Sequence, residues 1–224
     1  MTADPISVAF ALSLLALVPV AAVMTTSFLK IAIVLALVRN ALGVQQVPPN
    51  IALYGLALVL SAYVMAPVVH EVGDTLQNSS VADHDASNGS ISHYKLPMVI
   101  HALKAGIEPL QEFMLRNSQP EQRDFFMRTA QRIWGRQEAS SLREDNLLIL
   151  IPAFMVSELT AAFQLGFLLY LPFIVIDLIV SNILLAMGMM MVSPVTISMP
   201  LKLFLFVMVD GWTRLIQGLV LSYR

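Results

Sequence analysis

Residues 187 to 200 read Met-Gly-Met-Met-Met-Val-Ser-Pro-Val-Thr-Ile-Ser-Met-Pro, set between two long apolar runs. Three consecutive methionines, Met189, Met190 and Met191, with Pro194 and Pro200 close behind, continue a rigid helix poorly. They are suited to lining an opening. Methionine is unbranched, polarizable and deformable, so it repacks around whatever touches it. A ring of such residues from several subunits could seal a pore and still yield to a passing chain. The same residues could also simply pack a membrane core. Residue type alone leaves both readings open.

The second group with chemical potential is charged. Lys30, Glu158, Asp177, Lys202, Asp210 and Arg214 lie within or at the ends of apolar runs. A charge at the centre of an inserted helix costs ~2.5–3.5 kcal/mol, so each needs a partner or a path to water. Asp210 and Arg214 are four apart, on one helix face, and are placed to pair. Glu158 and Lys30 are candidates for a pair between hairpins. Such charges read either as ion pairs and interface fixings or as an ion or proton path. A third option is that these segments are surrounded by protein rather than lipid.

Other chemistry is missing. His70-Glu71-Val72-Gly73-Asp74 starts like a zinc protease motif but ends in Asp, so no metal site is expected. No nucleophile elbow or phosphate loop occurs, and no cofactor is implied. The chain has no cysteine, which rules out disulfides and thiolate sites. A net charge of −2 gives no case for nucleic-acid binding. The expectation is a non-enzymatic protein.

The elements that must position these residues belong to a membrane-type, all-α chain. Of its 224 residues 57% are hydrophobic and 12% charged, against roughly 45–50% and 25% in soluble domains. Most of the charge falls between Glu71 and Asp145. Three parts follow: an N-terminal apolar helical hairpin (1–70), a polar helical domain (71–146) and C-terminal apolar helices (147–224) with the Met-rich loop at 187–200. No basic residue precedes Lys30, so the first apolar run is expected to stay in the mature protein. Pro19 and Thr25-Thr26-Ser27 are candidate kinks, and Asn50 is placed to cap a helix over Ile51 to Val69. Gly73 to Ser92 reads as an exposed loop, and the domain's mobile segment is set at 73–95. Val99, Leu103, Ile107, Leu110 and Met114 recur at helical spacing after Pro97, with Pro109 as a break. Phe126, Ala130, Ile133 and Trp134 mark a second amphipathic helix. Ser141-Leu142-Arg143-Glu144 fits a capping box. The apolar run Leu147 to Met191 exceeds one straight span, and Pro152, Gly166 and Pro172 offer bends. A last segment covers Met199 to Tyr223. Both termini and the polar domain share one side, and the tips at 39–50 and 187–200 share the other.

These residues resemble one family: the type III secretion export-gate protein called SctR in injectisomes and FliP in flagella. The likeness rests on Thr26-Ser27-Phe28-Leu29-Lys30-Ile31, on Leu37 to Gly43 with Gln45 to Asn50, and on Glu112-Phe113-Met114-Leu115-Arg116. It continues through Ile151-Pro152-Ala153-Phe154, Ser157-Glu158-Leu159, Ala162 to Phe167 and Ile176-Asp177-Leu178. It ends with Met187 to Met191, Lys202 and Val209-Asp210-Gly211-Trp212. The resemblance implies five copies assembled helically with SctS-, SctT- and SctU-like proteins into a gate in the bacterial inner membrane, displaced toward the periplasm. Unfolded secreted proteins would cross through it. Met189, Met190 and Met191 would form a gasket closing the resting pore, and the six buried charges would act in assembly. The short chain and the missing signal-like extension favour the injectisome branch over the flagellar one. A small secondary transporter coupled through Glu158 and Asp177 is the alternative of another class, though no internal repeat supports it.

Overall fold

A computed structural model describes residues 13, 16–17, 19–44, 47–84, 107–134 and 142–223, with backbone alone over 75–84. All regular elements among the described residues are helices: α1 (Pro19–Thr25), α2 (Phe28–Ala41), α3 (Asn50–His84), α4 (107–117), α5 (Pro120–Ile133), α6 (Leu147–Ala186), α7 (Pro194–Met208) and α8 (Gly211–Leu221). The chain is all-α, as its periodicity implies.

Helices α3 (through Asp74) and α6 are each long and apolar enough to cross a membrane. The broken pairs α1–α2 and α7–α8 would each make one further span. At ~1.5 Å per residue the 40 residues of α6 reach about 60 Å, twice a bilayer core of about 30 Å. The run from Leu147 thus stays one helix despite Pro152 and Pro172. In apolar surroundings a freed backbone group has no water to turn to, so the helix persists through its prolines.

The chain divides into two compact units. One comprises residues 1–27 and 65–157, the other 28–64 and 158–224. In the first, Phe113 and Phe154 meet edge to face at 5.9 Å, and Met114, Ile149, Leu150 and Ala153 are buried. Pro109 lies in the first turn of the described part of α4, and the stretch from Pro97 to 106 lies outside the described residues. Pro120 opens α5, and the Gln119 N–H before it donates to Ser157 Oγ at 2.8 Å. Arg123 Nη1 donates to the Leu115 and Ser118 carbonyls, at 3.2 and 2.7 Å, satisfying acceptors that the end of α4 leaves open. Helix α6 is capped by Asn146, whose Oδ1 accepts from the Leu148 N–H at 3.0 Å. Ser141, the expected cap, lies outside the described residues, and Glu144 pairs with Arg123 Nε at 3.5 Å. Of the stripe expected to bury α5, Ala130 is buried, while Ile133 and Trp134 are exposed.

The second unit packs α2 through Ile31, Val34, Leu35 and Val38. Arg39 Nη1 closes the turn after α2 by donating to the Pro48 carbonyl (3.3 Å) and to Asn50 Oδ1 (2.5 Å). Asn50 therefore serves the turn and not a helix cap. Helix α3 then runs on to His84, through residues 73–84 where a loop is expected, and 85–106 lie outside the described residues. The α1–α2 break falls at Thr26–Ser27, as expected. The Thr25 and Thr26 hydroxyls donate back to the Ala21 and Ala22 carbonyls, which weakens a helix at that point. The last segment begins at Pro194 and breaks at Asp210, where α7 and α8 meet at 63°. Phe206 sits in that elbow against Trp212 (5.3 Å) and Phe173 (6.3 Å), and a side chain at Gly211 would overlap its ring.

Gly166 is a packing site and not a bend. A Cβ there would run into the side chain of Leu37, so the absent side chain lets α2 approach the α6 backbone. Gly166→Val should cost about 1–3 kcal/mol through overpacking, read as a lowered melting temperature in detergent. Adding Leu37→Ala should recover part of that loss, which a purely backbone effect at Gly166 would not allow.

Candidate functional site

The methionine run sits on the turn between α6 and α7. Gly188, at φ +73°, ends α6 in the left-handed conformation that favours glycine. Its N–H donates to the Leu185 carbonyl (3.0 Å), and the Met189 N–H donates to the Leu184 carbonyl (2.9 Å). This paired pattern is the Schellman cap, which stops a helix and turns the chain away from its axis. The three residues that follow leave the helix surface. Met189 is 40% exposed, Met190 83% and Met191 fully exposed, and Met187 is open beside them. Packing within this chain therefore does not account for the run. The turn adjoins the other tip of its unit: a Cβ on Gly43 would lie 3.7 Å from Val195 Cγ1.

Two charge clusters tie the helices of this unit together. In the first, Lys30 Nζ donates to Glu158 Oε1 at 3.2 Å, with both side chains at most 5% exposed. The Tyr223 hydroxyl donates to the other oxygen, Glu158 Oε2, and Lys30 Nζ lies 3.6 Å from the Tyr223 ring centroid. One aromatic thus completes the acid and faces the cation. In the second cluster, Asp177 accepts from Lys202 Nζ (2.6 Å) and from Ser198 Oγ (2.5 Å). Lys202 also donates to the Ala41 carbonyl at 3.3 Å, placing a cation on the negative end of α2.

The Lys30–Glu158 pair forms as the sequence suggests. The Asp210–Arg214 pair does not. Asp210 takes a left-handed φ of 52° ahead of α8, and among the described residues neither side chain has an ion-pair partner. Both are exposed. The elbow at Asp210 removes the continuous helix that would have put them on one face. Sequence reasoning missed Tyr223 and Ser198. Their signal was a four-residue stripe: Ser198, Lys202 and Phe206 are the buried residues of α7, and Gly211, Leu215, Leu219 and Tyr223 repeat the interval in and beyond α8. No metal-holding group of His, Asp and Glu occurs among the described residues.

Breaking one side of a buried pair strands the other charge, at about 3–5 kcal/mol, whereas replacing both with apolar groups is far milder. Glu158→Gln and Lys30→Met should each sharply lower the melting temperature in detergent. The double variant Glu158→Met with Lys30→Met should melt above either single one. Tyr223→Phe keeps the ring and loses one hydrogen bond to a charged acceptor, so its cost should be about 1.5–3 kcal/mol.

The FliP family profile matches residues 11–219. The Yop proteins translocation protein R of Yersinia pestis is 53% identical over 98% of this chain and 97% of its own length. The harpin secretion protein HrcR of Erwinia amylovora is 48% identical over the same shares. The virulence protein YscR of Salmonella typhimurium is 45% identical, again over 98% and 97%. With a match along nearly its whole length and relatives at this identity, the chain belongs to the FliP family.

Proposed function

We propose that this chain is the pore-forming subunit of a type III secretion export gate in the bacterial inner membrane, and that Met189, Met190 and Met191 close its resting pore. A role in the secretion export apparatus follows from the family and from relatives named for translocation and harpin secretion. Those names also favour the injectisome branch over the flagellar one. The observation that carries the finer reading is the methionine turn itself, three thioethers held off the helix surface by a glycine cap, with Met190 and Met191 left largely uncovered by the described residues. Soft side chains around a shared axis make a dry constriction, and apolar constrictions block ions by dewetting.

The division into an apolar hairpin, a polar domain and apolar C-terminal helices belongs to the same reading, with the polar domain on the periplasmic side. Helix α6 is too long for a bilayer alone, and large apolar residues such as Phe163, Phe167, Phe204 and Val207 stay exposed along α6 and α7. Neighbouring subunits displaced toward the periplasm would cover them. Five copies with SctS-, SctT- and SctU-like partners supply those neighbours, and unfolded secreted proteins are the cargo. The six charges then divide in role. Lys30, Glu158, Asp177 and Lys202 assemble the subunit from within, whereas exposed Asp210 and Arg214 meet adjacent subunits. The chain acts without cofactor and without catalysis. A transporter coupled through Glu158 and Asp177 gains nothing from the geometry, because both carboxylates are already held by lysines.

Changing Met189, Met190 and Met191 together to Gly should make the resting membrane leak ions when the complete gate is present. A tight membrane around a fully assembled gate would refute the gasket. Asp210→Arg should lower the amount of assembled complex on a native gel by roughly tenfold, the scale of a lost interfacial charge contact. An unchanged complex would remove Asp210 from the interface.

A further inference from the structure

We propose that Asp210 and Arg214 are each other's partners between copies: the carboxylate of one chain pairs with the guanidinium of the next. The inference rests on the gate reading and names a contact by which its copies join. Asp210 and Arg214 are four apart, the spacing at which one helix brings opposite charges together. The elbow forbids that here. Asp210 stands at a left-handed φ of 52° ahead of α8, and α7 and α8 meet at 63°. The bend is packed rather than open: Phe206 fills it against Trp212 and Phe173, and a side chain at Gly211 would overlap the Phe206 ring.

Local structure gives neither charge a use. Asp210 occupies the N-cap of α8, yet its carboxylate makes no capping hydrogen bond. Arg214 lies in the first turn of α8, where a cation meets the positive end of the helix dipole. Among the described residues neither has an ion-pair partner. Val207, Met208 and Val209, on the same elbow, are left uncovered by the chain itself. Covering this elbow with an apolar surface would strand two opposite charges at once, each at a cost of several kcal/mol. A second copy resolves both, because it brings one acid and one base at the same place. A head-to-tail contact between identical chains then repeats from copy to copy with every interface neutral. The contact needs no open surface in the finished gate, since the neighbouring copy is what covers the elbow.

The test expresses the chain with the other gate proteins and reads the assembled complex from membranes on a native gel. Asp210→Arg gives every copy two cations at the elbow, and Arg214→Asp gives every copy two carboxylates. Each variant alone should lower the complex about tenfold, through like charges facing each other. Both should melt in detergent as the unaltered chain does, because neither side chain holds its own fold together. Expressed together in one cell, the two variants should recover most of the complex, as cationic and anionic copies alternate. That recovery separates a pair between chains from a pair within one, since each variant chain still carries two like charges. Two results overturn the proposal: the single variants assemble like the unaltered chain, or the mixture stays as low as its components. The second leaves the gate reading standing, with a different protein against the elbow. An unaltered chain that joins neither its own copies nor the other gate proteins removes the gate reading, and this contact with it.

Discussion

A lysine ammonium cannot be left in an apolar helix packing without a counter-charge, and this chain buries two of them. Lys30 and Lys202 are 4% and 3% exposed. Both acids that neutralise them, Glu158 and Asp177, come from the single long helix α6. Helix α2 is tied at both ends by the same solution. Lys30 leaves its first turn for Glu158, and its last carbonyl, Ala41 O, accepts from Lys202. Each ion is desolvated at a cost of several kcal/mol, which the attraction offsets only when the remaining donors and acceptors are also satisfied. Tyr223 and Ser198 supply those last hydrogen bonds. The charge clusters tie α2 to α6, α7 and α8, and much of the apolar surface of α6 and α7 faces outward.

That outward surface makes sense of the rest. Beyond its buried start at Ile149, Leu150, Ala153 and Phe154, α6 leaves large apolar residues such as Phe163, Phe167, Leu178 and Ile183 exposed. The charge clusters fix a thin framework, and the framework presents an unfilled apolar exterior and an unfilled methionine turn. Its turn is rigid in backbone, through the Gly188 cap, and soft in side chain, through the thioethers.

Much of this was legible in the chain. Helical periodicity, low charge and the absence of cysteine gave an all-α membrane-type protein. The isolated charges pointed to buried pairs, and Lys30–Glu158 was found by asking which charges lacked company. What failed has physical causes. Asp210 and Arg214 of one chain pair only on a continuous helix, and the left-handed Asp210 removes it. The position of Asn50 suits a cap, but Arg39 claims its side chain. Gly166 offers a bend by residue type, while its packing partner, Leu37, is remote in sequence. Residues 73–84 are polar yet helical, a case of continuation overriding composition. Local propensity cannot report a contact made 129 residues away, and that separation divides Leu37 from Gly166.

The most direct measurement exploits the missing cysteines. Met190→Cys places a single thiol in each chain, on the exposed turn. Mild oxidation of the assembled gate in membranes, followed by a non-reducing gel, asks whether the turns of different copies converge. A covalent dimer that forms readily and disappears on reduction is the expected result. A chain that stays monomeric in a gate shown to be complete would contradict the placement of the methionines at a shared axis.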